Sequence, residues 1–541
     1  MQMSFFDFKE FDELKAEAKK KETPRKKKEE KPKKKSAPKT VYKLPLTLKS
    51  IAGDLVMTEG KGTEEEVKQF LADQGSFFLK EMIAYLHMKR DSLIRTDITV
   101  FDSDSVREED LGAVYILEDL GQNRALLLSE LLKEQYEYKV TAVPGDFSAD
   151  SPVLQISKRD YVIMIDCSEG NISGNYQTEW KKLTGKRKLY LKFGDAKLYV
   201  DDGSGEESFS SNTEEKSMDF VWKHLERMFL VNLAMSKIVA VYEEGQAECG
   251  TFCINEKMAK VGSQLNNDQR LNLPLGQRKT EKFHYQLVVV GTGGTGSYFL
   301  KELGAILSAL IKEECDSYAL SIIDGDRVEQ KNLDRQNFLK EDVGQHKAIV
   351  LAQALKEHYG IEVRAYPMYI DSAEQLKVVF KQMSGAYYRR TVPILIGSVD
   401  NHRARQEMEK WFRQTPTGIW IDAANEFHTG EVVAAVKRNG KMLSPSRPNY
   451  FPEIMRSREK RASELSGWVI NQSSPQHRIT NMAAAMLALS AALGILRNGF
   501  LPYKIVYFDV FKGNAIPVNV GAERGIFFEE FAAETVLRAY I

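Results

Sequence analysis

The chain has 541 residues, 43% of them hydrophobic, with basic and acidic side chains equal at 76 each. That length holds roughly three or four domains of about 150 residues, and four cysteines in it exclude a disulfide scaffold and suit a reducing, cytoplasmic compartment. No apolar run of the roughly 20 residues that span a bilayer is evident, and the opening MQMSFFDFKEFDEL lacks the basic-then-apolar pattern of a secretory signal, so no membrane role is expected.

Residues 1–18 carry Phe5, Phe6, Phe8, Phe11 and Leu14. Phe8, Phe11 and Leu14 lie about one helical turn apart, so a short helix here has an aromatic face for docking on this chain or on another. Residues 19–40 are a linker. Lys19 to Lys39 hold twelve basic and three acidic side chains, a net +9 that leaves about −9 for the rest. With three prolines and no apolar anchor, this run stays solvated and extended. It is a charged spacer or a salt-sensitive contact for nucleic acid, although no aromatics are interleaved to stack on bases.

Residues 41–103 read as a small domain. VYKLPLTLK and DLVMTEG are strands around a turn at Ser50–Gly53. TEEEVKQFLADQG is a helix with Thr63 as N-cap, Glu66 three residues on, and Gly75 at its end. MIAYLHMKRDSLIRTDITVF supplies two more strands. The order strand, strand, helix, strand, strand resembles a ubiquitin-like β-grasp, as in the small ubiquitin-like proteins of PRTRC mobile-element systems.

Residues 104–280 form an α+β region of unassigned role. Helices are expected at 124–137 and 216–236, and strands at 159–166, 188–200 and 238–243. Cys167, Cys249, Cys253 and Cys315 read as structural thiols rather than nucleophiles. Only Cys249 and Cys253 lie close together, which does not make a four-ligand zinc site.

Residues 281–541 alternate strands with helices, the pattern of a parallel sheet covered on both faces. FHYQLVVVGTGGTGSYFLKELGAIL is strand, glycine turn, helix. YALSIIDGDRVE, VPILIGSVDN and GIWIDAAN end in polar residues, with the helix RARQEMEKWFRQ between the last two. Gly291, Gly293, Gly294 and Gly296 follow an apolar strand and open a helix, which lets backbone amides approach a phosphate. Taken alone, that turn suits NAD or FAD as well as ATP. Asp324 and Asp326 end the next strand about 30 residues on, where an acid accepts from ribose hydroxyls. Asn332, Arg335, Gln336 and Lys347 follow, and Asp400–Asn401 end a later strand. A dehydrogenase has no use for such a cluster. A triphosphate does, since Arg and Lys neutralise phosphates and Asp holds magnesium.

GTGGTG, DGDRVEQKNLDRQ, GQHKA and SVDNHRAR together are similar to the ThiF/MoeB and ubiquitin-activating (E1-like) superfamily, over about residues 280–520. WIDAANEFHTGEVV, NYFPEI and YFDVFKGNAIPVNV look most like the ThiF-type member of PRTRC systems. The resemblance implies a Rossmann-like adenylation domain that uses ATP and Mg2+ to make an acyl adenylate on a carboxylate, usually the C-terminus of a ubiquitin-like protein or peptide. It implies that Asp324 holds the ribose, that Asn332, Arg335, Gln336 and Lys347 surround the phosphates, and that Asp400 holds magnesium beside Asn401. Relatives are usually homodimers and supply an arginine from the other subunit; Arg270 and Arg278 lie in about the right place.

Two departures stand out. The paired CxxC motifs of many zinc-bearing relatives are missing, so no structural zinc is expected. No cysteine follows residue 315, so the C-terminal half cannot carry a thioester. His284, His346, His402, His428 and His477 show no metal spacing. Activation of a carboxylate on modified tRNA, aided by the basic linker, and a non-catalytic nucleotide-binding scaffold of a mobile element are the alternatives.

Overall fold

The structure is a computed structural model. It describes residues 98–107, 119–136, 140–154, 156, 161–166, 172–183, 187–194, 197–203, 220–244, 247, 249–253, 271–272, 283–312, 316–333, 336, 338, 340–383, 390–460 and 478–518. All of these fall in the second of two compact units, Leu44–Ile541. The aromatic segment, the basic linker and nearly all of the β-grasp candidate lie outside the described residues.

The first described strand, β1 (Ile98–Phe101), pairs in parallel with β2 (Val140–Val143), and helix α1 (Arg124–Tyr136) connects them. The partner of β1 is thus beyond residue 103. Next come β3 (Tyr161–Asp166), α2 (Ile172–Lys182), β4 (Arg187–Gly194), β5 (Lys197–Asp201), α3 (Phe220–Glu244) and β6 (Gly250–Cys253). The strands form a sheet in the order β3-β4-β5-β6, parallel at the first pair and antiparallel after it.

Two expectations fail here. The stretch 188–200 is a hairpin rather than one strand, because the chain reverses between Gly194 and Lys197. The stretch 238–243 is helical, not a strand. Its β-branched residues suggested a strand, but Leu225, Phe229, Leu233 and Ile238 are all buried in one core. Tertiary burial of a helix overrides a weak local preference.

The C-terminal part begins at β7 (Leu271–Asn272), which pairs with β15 (Phe500–Leu501). Between them run β8 (Phe283–Val290), α4 (Gly294–Lys312), β9 (Ser317–Ile323), α5 (Lys347–Tyr359), β10 (Val363–Tyr366), α6 (Ala373–Gln382), β11 (Arg390–Gly397) and α7 (His402–Gln414). There follow β12 (Gly418–Asn425), β13 (Thr429–Arg438), β14 (Lys441–Ser444), the short α8 (Arg447–Tyr450) and α9 (Glu453–Arg456), and α10 (Arg478–Leu493). After β15 come β16 (Ile505–Asp509) and β17 (Asn514–Val518). The main sheet has the order β10-β9-β8-β11-β12-β13-β16-β17, with β14 beside β13. β10, β9, β8, β11 and β12 are parallel; the rest are antiparallel.

Strand alternation divides β8 between two cores. Phe283, Tyr285, Leu287 and Val289 share one core with residues of α3, α4, α5 and α10. Val288 and Val290 share the other with Leu376, Val379 and Phe380 of α6 and Met408, Trp411 and Phe412 of α7. The spacing 408, 411, 412 is one helical face, and the rings of Phe380 and Trp411 stack 4.6 Å apart. His284 and Gln286 face the end of α6: His284 Nε2 lies 2.9 Å from the Met383 carbonyl, and Gln286 Nε2 donates to the Phe380 carbonyl at 3.2 Å.

One segment corrects the expectation about apolar runs. Arg478–Arg497 is a helix long and apolar enough to cross a membrane. Its apolar window is wholly buried against the sheet, α3 and α4, so here it is a core helix. Asn232 on α3 donates to the Ile479 carbonyl at 2.9 Å and fixes its start.

Candidate active site

Strands β9 and β10 are added on one side of β8 and β11 on the other. The direction of winding therefore reverses between β8 and β11. In open parallel sheets the crevice beyond the carboxyl ends at such a reversal is where ligands bind. The glycine turn follows β8 and the Ser398–Asn401 loop follows β11, so both lie in that crevice.

The turn is held from both sides. Gly291 has φ +86°, a conformation that suits glycine, and a Cβ there would meet the Ser398 carbonyl oxygen at 2.7 Å. The Ser398 hydroxyl donates to the Gly291 carbonyl at 2.6 Å. Gly293 is half-buried, and Gly294, Thr295 and Gly296 form the first turn of α4. The first amides of a helix have no intrahelical acceptor and point at a ligand placed there.

Asp324 and Asp326 follow β9 but differ in use. Asp324 Oδ2 accepts from the Thr292 amide at 2.6 Å and its hydroxyl at 2.7 Å, and Oδ1 accepts from the Asp326 amide at 2.8 Å. Both oxygens are engaged, and Asp324 is buried. Burial pushes its carboxyl above the usual range, with Lys347 pulling the other way. Asp326 is about a third exposed. Burial acts to raise its carboxyl too, but the Lys347 ammonium and the Tyr369 hydroxyl outweigh it and hold the group low. Lys347 Nζ donates to Asp326 Oδ2 at 3.0 Å, and the Tyr369 hydroxyl to Oδ1 at 2.6 Å.

Lys347 opens α5, and its amide donates to the Asp326 carbonyl at 3.0 Å. The Val328 amide bonds the Gln345 carbonyl and the Gly344 amide bonds the Val328 carbonyl, both at 2.8 Å. These links bring the two motif segments side by side. Asn332 is buried, and its Oδ1 accepts from the Glu329 amide at 2.8 Å, which holds the local turn. Gln336 is buried with Nε2 beside Gly293, and its Oε1 has no protein partner. Arg335 lies outside the described residues, as do Arg270, Arg278 and His477.

Asp400 is exposed. Asn401 is an N-cap: its Oδ1 accepts from the Ala404 amide at 3.1 Å, and its Nδ2 donates to the Lys460 carbonyl at 3.1 Å. The Glu459 carboxylate takes the His402 amide at 2.7 Å. Asn401 therefore shapes the loop that presents Asp400. Among the described residues no group of three or more His, Cys, Asp or Glu could hold a metal ion.

Tyr369 and Thr292 were missed in the sequence. Thr292 lies inside the GTGGTG turn, where only the glycines drew attention, and Tyr369 stands in no motif and reaches Asp326 from 43 positions away. Ser398 was inside the quoted GSVDN segment and could have been found there.

Beside the crevice lies a buried ion cluster. Asp422 on β12 meets Arg405 Nε at 3.2 Å and Arg447 Nε at 3.2 Å, and Arg447 also bonds Glu431. Burial pushes the Arg447 guanidinium down to about 10 against the pull of Asp422.

Cys249 is exposed, yet its thiol is expected to be a weak nucleophile. Burial, then the Asp202 carboxylate, push its thiol up to about 11. Iodoacetamide at pH 7.5 is expected to label Cys249 far more slowly than free cysteine, as followed by peptide mass mapping. Labelling as fast as the free amino acid would sink that assignment. Cys167 and Cys315 lie outside the described residues.

Residues 268–509 match the family model of the ThiF family. No curated protein matches the chain. Similar solved structures include a crystal structure of selenomethionine PaaA, at 14% identity and a TM-score of 0.31, covering 44% of this chain and 73% of that one. Another is E. coli MccB with succinimide, at 15% identity and a TM-score of 0.31, covering 62% of this chain and 96% of that one.

Proposed function

We propose that the chain is an ATP-dependent adenylyltransferase that activates the C-terminal carboxylate of a small ubiquitin-like protein or peptide as an acyl adenylate. The observation that carries this is the meeting, in one crevice, of the glycine turn, the Asp324/Asp326 pair with Lys347, Gln336 beside Gly293, and the Asp400 loop, all within the segment that matches the ThiF family. The residues present fit a nucleoside triphosphate. Helix-terminal amides form the turn, the Gln336 amide nitrogen lies beside Gly293, and the Lys347 ammonium stands at Asp326, so donors and a cation are present for phosphate oxygens.

The ribose role moves from Asp324 to Asp326 in this reading. Asp324 spends both oxygens on Thr292 and Asp326, while Asp326 keeps exposed surface. Lys347 faces the phosphates and stabilises the charge that builds as pyrophosphate departs. Arg335 shares that task. Asp400 would hold magnesium, which would supply positive charge to offset that of the phosphates. A carboxylate oxygen of the partner attacks the α-phosphorus. The bond to the bridging oxygen breaks, and pyrophosphate leaves with that electron pair. No protein nucleophile and no proton transfer are required, so the work is positioning and electrostatics. The absence of cysteine after residue 315 fits a reaction that ends at the adenylate.

The finer reading places the chain with PRTRC-type ThiF proteins, as a cytoplasmic homodimer. The PRTRC likeness rests on WIDAANEFHTGEVV, NYFPEI and YFDVFKGNAIPVNV, the homodimer on the habit of relatives, and the cytoplasmic location on the few cysteines. The test is ATP–pyrophosphate exchange with candidate small partner proteins, with Asp400→Ala as control. Exchange that needs one partner's C-terminal residue and falls to background in the variant is expected. Exchange that is unchanged in Asp400→Ala would remove that residue from the site, and no exchange with any partner would point to another carboxylate.

A further inference from the structure

The tyrosine that bonds Asp326 has no part in the reaction described above. Tyr369 lies in the loop between β10 and α6, and that loop is fixed at several points. The Asp324 amide donates to the Tyr366 carbonyl at 3.1 Å, which ties the loop to the end of β9. Ile370 is buried in the core shared with α6 and α7. Gln375, in the first turn of α6, donates through Nε2 to the Tyr369 carbonyl at 3.3 Å. Its Oε1 accepts from the Asp371 and Ser372 amides at 2.8 and 3.0 Å. The backbone of Tyr369 is therefore held on both sides.

The ring of Tyr369 lies against Gly325, the residue between the two acids. A Cβ at Gly325 would meet three of its carbons at 2.6 to 2.7 Å, so the ring sits where glycine leaves room for it. Asp326 has little freedom of its own. Its amide donates to Asp324 Oδ1 and its carbonyl accepts from the Lys347 amide. Its Oδ1 takes the Tyr369 hydroxyl at 2.6 Å, and its Oδ2 takes the Lys347 ammonium at 3.0 Å. A carboxylate has about four acceptor sites, so two donors on different oxygens fix its plane and leave lone pairs for further hydroxyls. Burial, then the hydrogen bond to Asp326, push the Tyr369 hydroxyl above its usual range, so it stays a donor at neutral pH. An incidental surface contact would need neither the glycine seat nor the pinned backbone.

We propose that Tyr369 is a positioning residue that fixes the Asp326 carboxylate for the ribose hydroxyls of the nucleotide, so that the site tells ribose from a sugar that lacks them. This rests on the ribose role given to Asp326 in the nucleotide reading. Tyr369 acts through Asp326 and touches no reacting atom. Lys347 alone would hold one oxygen and leave the plane of the carboxylate free to turn. A carboxylate set before binding loses less freedom when the hydroxyls arrive.

The test is calorimetric titration of the full chain with magnesium-ATP and with the magnesium complex of 2′,3′-dideoxy-ATP, which lacks both hydroxyls. Wild-type chain is expected to prefer ATP by about tenfold, the effect of one charge-assisted hydrogen bond. Tyr369→Phe keeps the ring and removes only the hydroxyl. It should weaken ATP by about three- to fivefold and change dideoxy-ATP by less than about twofold, so that the preference shrinks. Gly325→Ala, which drives the ring off its seat, should shrink the preference in the same way, and it carries the comparison if Tyr369→Phe does not fold. An undiminished preference in folded Tyr369→Phe overturns the proposal and leaves the ribose role of Asp326 standing. An equal loss of both nucleotides also overturns it, because that pattern marks a purely structural residue. Wild-type chain that binds both nucleotides equally removes the ribose role of Asp326, and the proposal falls with it. Wild-type chain that binds neither removes the nucleotide reading as well.

Discussion

Lys347→Ala is expected to lower ATP–pyrophosphate exchange by about 10²–10³-fold, the range seen when a transition-state charge contact is removed. The ammonium is nearly buried, and its position is set by the Asp326 carboxylate 3.0 Å away and by the start of α5. Folding should suffer little, because the Asp326 left behind is about a third exposed and water takes over part of the lost partner. Lys347→Arg should recover only part of the activity. A planar guanidinium cannot stand where one compact ammonium meets one carboxylate oxygen. The check is exchange and ATP affinity measured on the same preparations. A large loss of exchange with a modest change in affinity is the expected pattern. Equal losses of both would make Lys347 a ground-state binder.

Asp422→Ala is expected to destabilise the chain by about 3–5 kcal/mol, as when one member of a buried ion cluster is removed. Its side chain is buried between Arg405 and Arg447, both themselves nearly inaccessible. Without it, Arg447 keeps the Glu431 carboxylate, and Arg405 is left with the Ala423 carbonyl at 3.4 Å and no carboxylate. Arg447 also donates to the Asp422 carbonyl at 3.3 Å and lies 4.9 Å from the Phe451 ring, so it anchors α8 to the sheet. Gln406 ties the same segment to α7 through the Ile454 and Ser457 carbonyls, at 2.8 and 2.9 Å. The urea midpoint of the cooperative unfolding step should fall clearly in Asp422→Ala and less in Asp422→Asn, which keeps the shape. An unchanged midpoint would mean that the cluster's desolvation cost cancels its attraction.

Both predictions concern residues that differ in how far they could be read beforehand. Lys347 stood in a quoted motif at a recognisable distance from the glycine turn. Asp422 lay in the quoted strand WIDAAN but carried no assigned role, since its partners come from α7 and α8. The same divide runs through the site. Gly291, Gly293, Gly294 and Gly296 were legible because the turn between strand and helix is a local requirement. The ribose assignment to Asp324 came from its place at the end of a strand and from the family resemblance. Only the structure shows that Thr292 and the Asp326 amide occupy its oxygens. Asn401 likewise stood beside Asp400 as a ligand candidate and is a helix cap.

What the sequence determined by itself is local and periodic. The apolar strand Leu287–Val290, the glycine turn after it, the 408–411–412 face of α7 and the order of the motifs all follow from short-range sterics and alternation. The tertiary structure decided what depends on partners far along the chain. Burial against α10 and the sheet makes residues 238–243 helical where their composition favoured a strand, and keeps the apolar Arg478–Arg497 in the core. It also decided which acid keeps a free surface and which amide lies beside the turn. Those outcomes turn on desolvation and on hydrogen bonds between distant elements, and neither is encoded in a short window of residues.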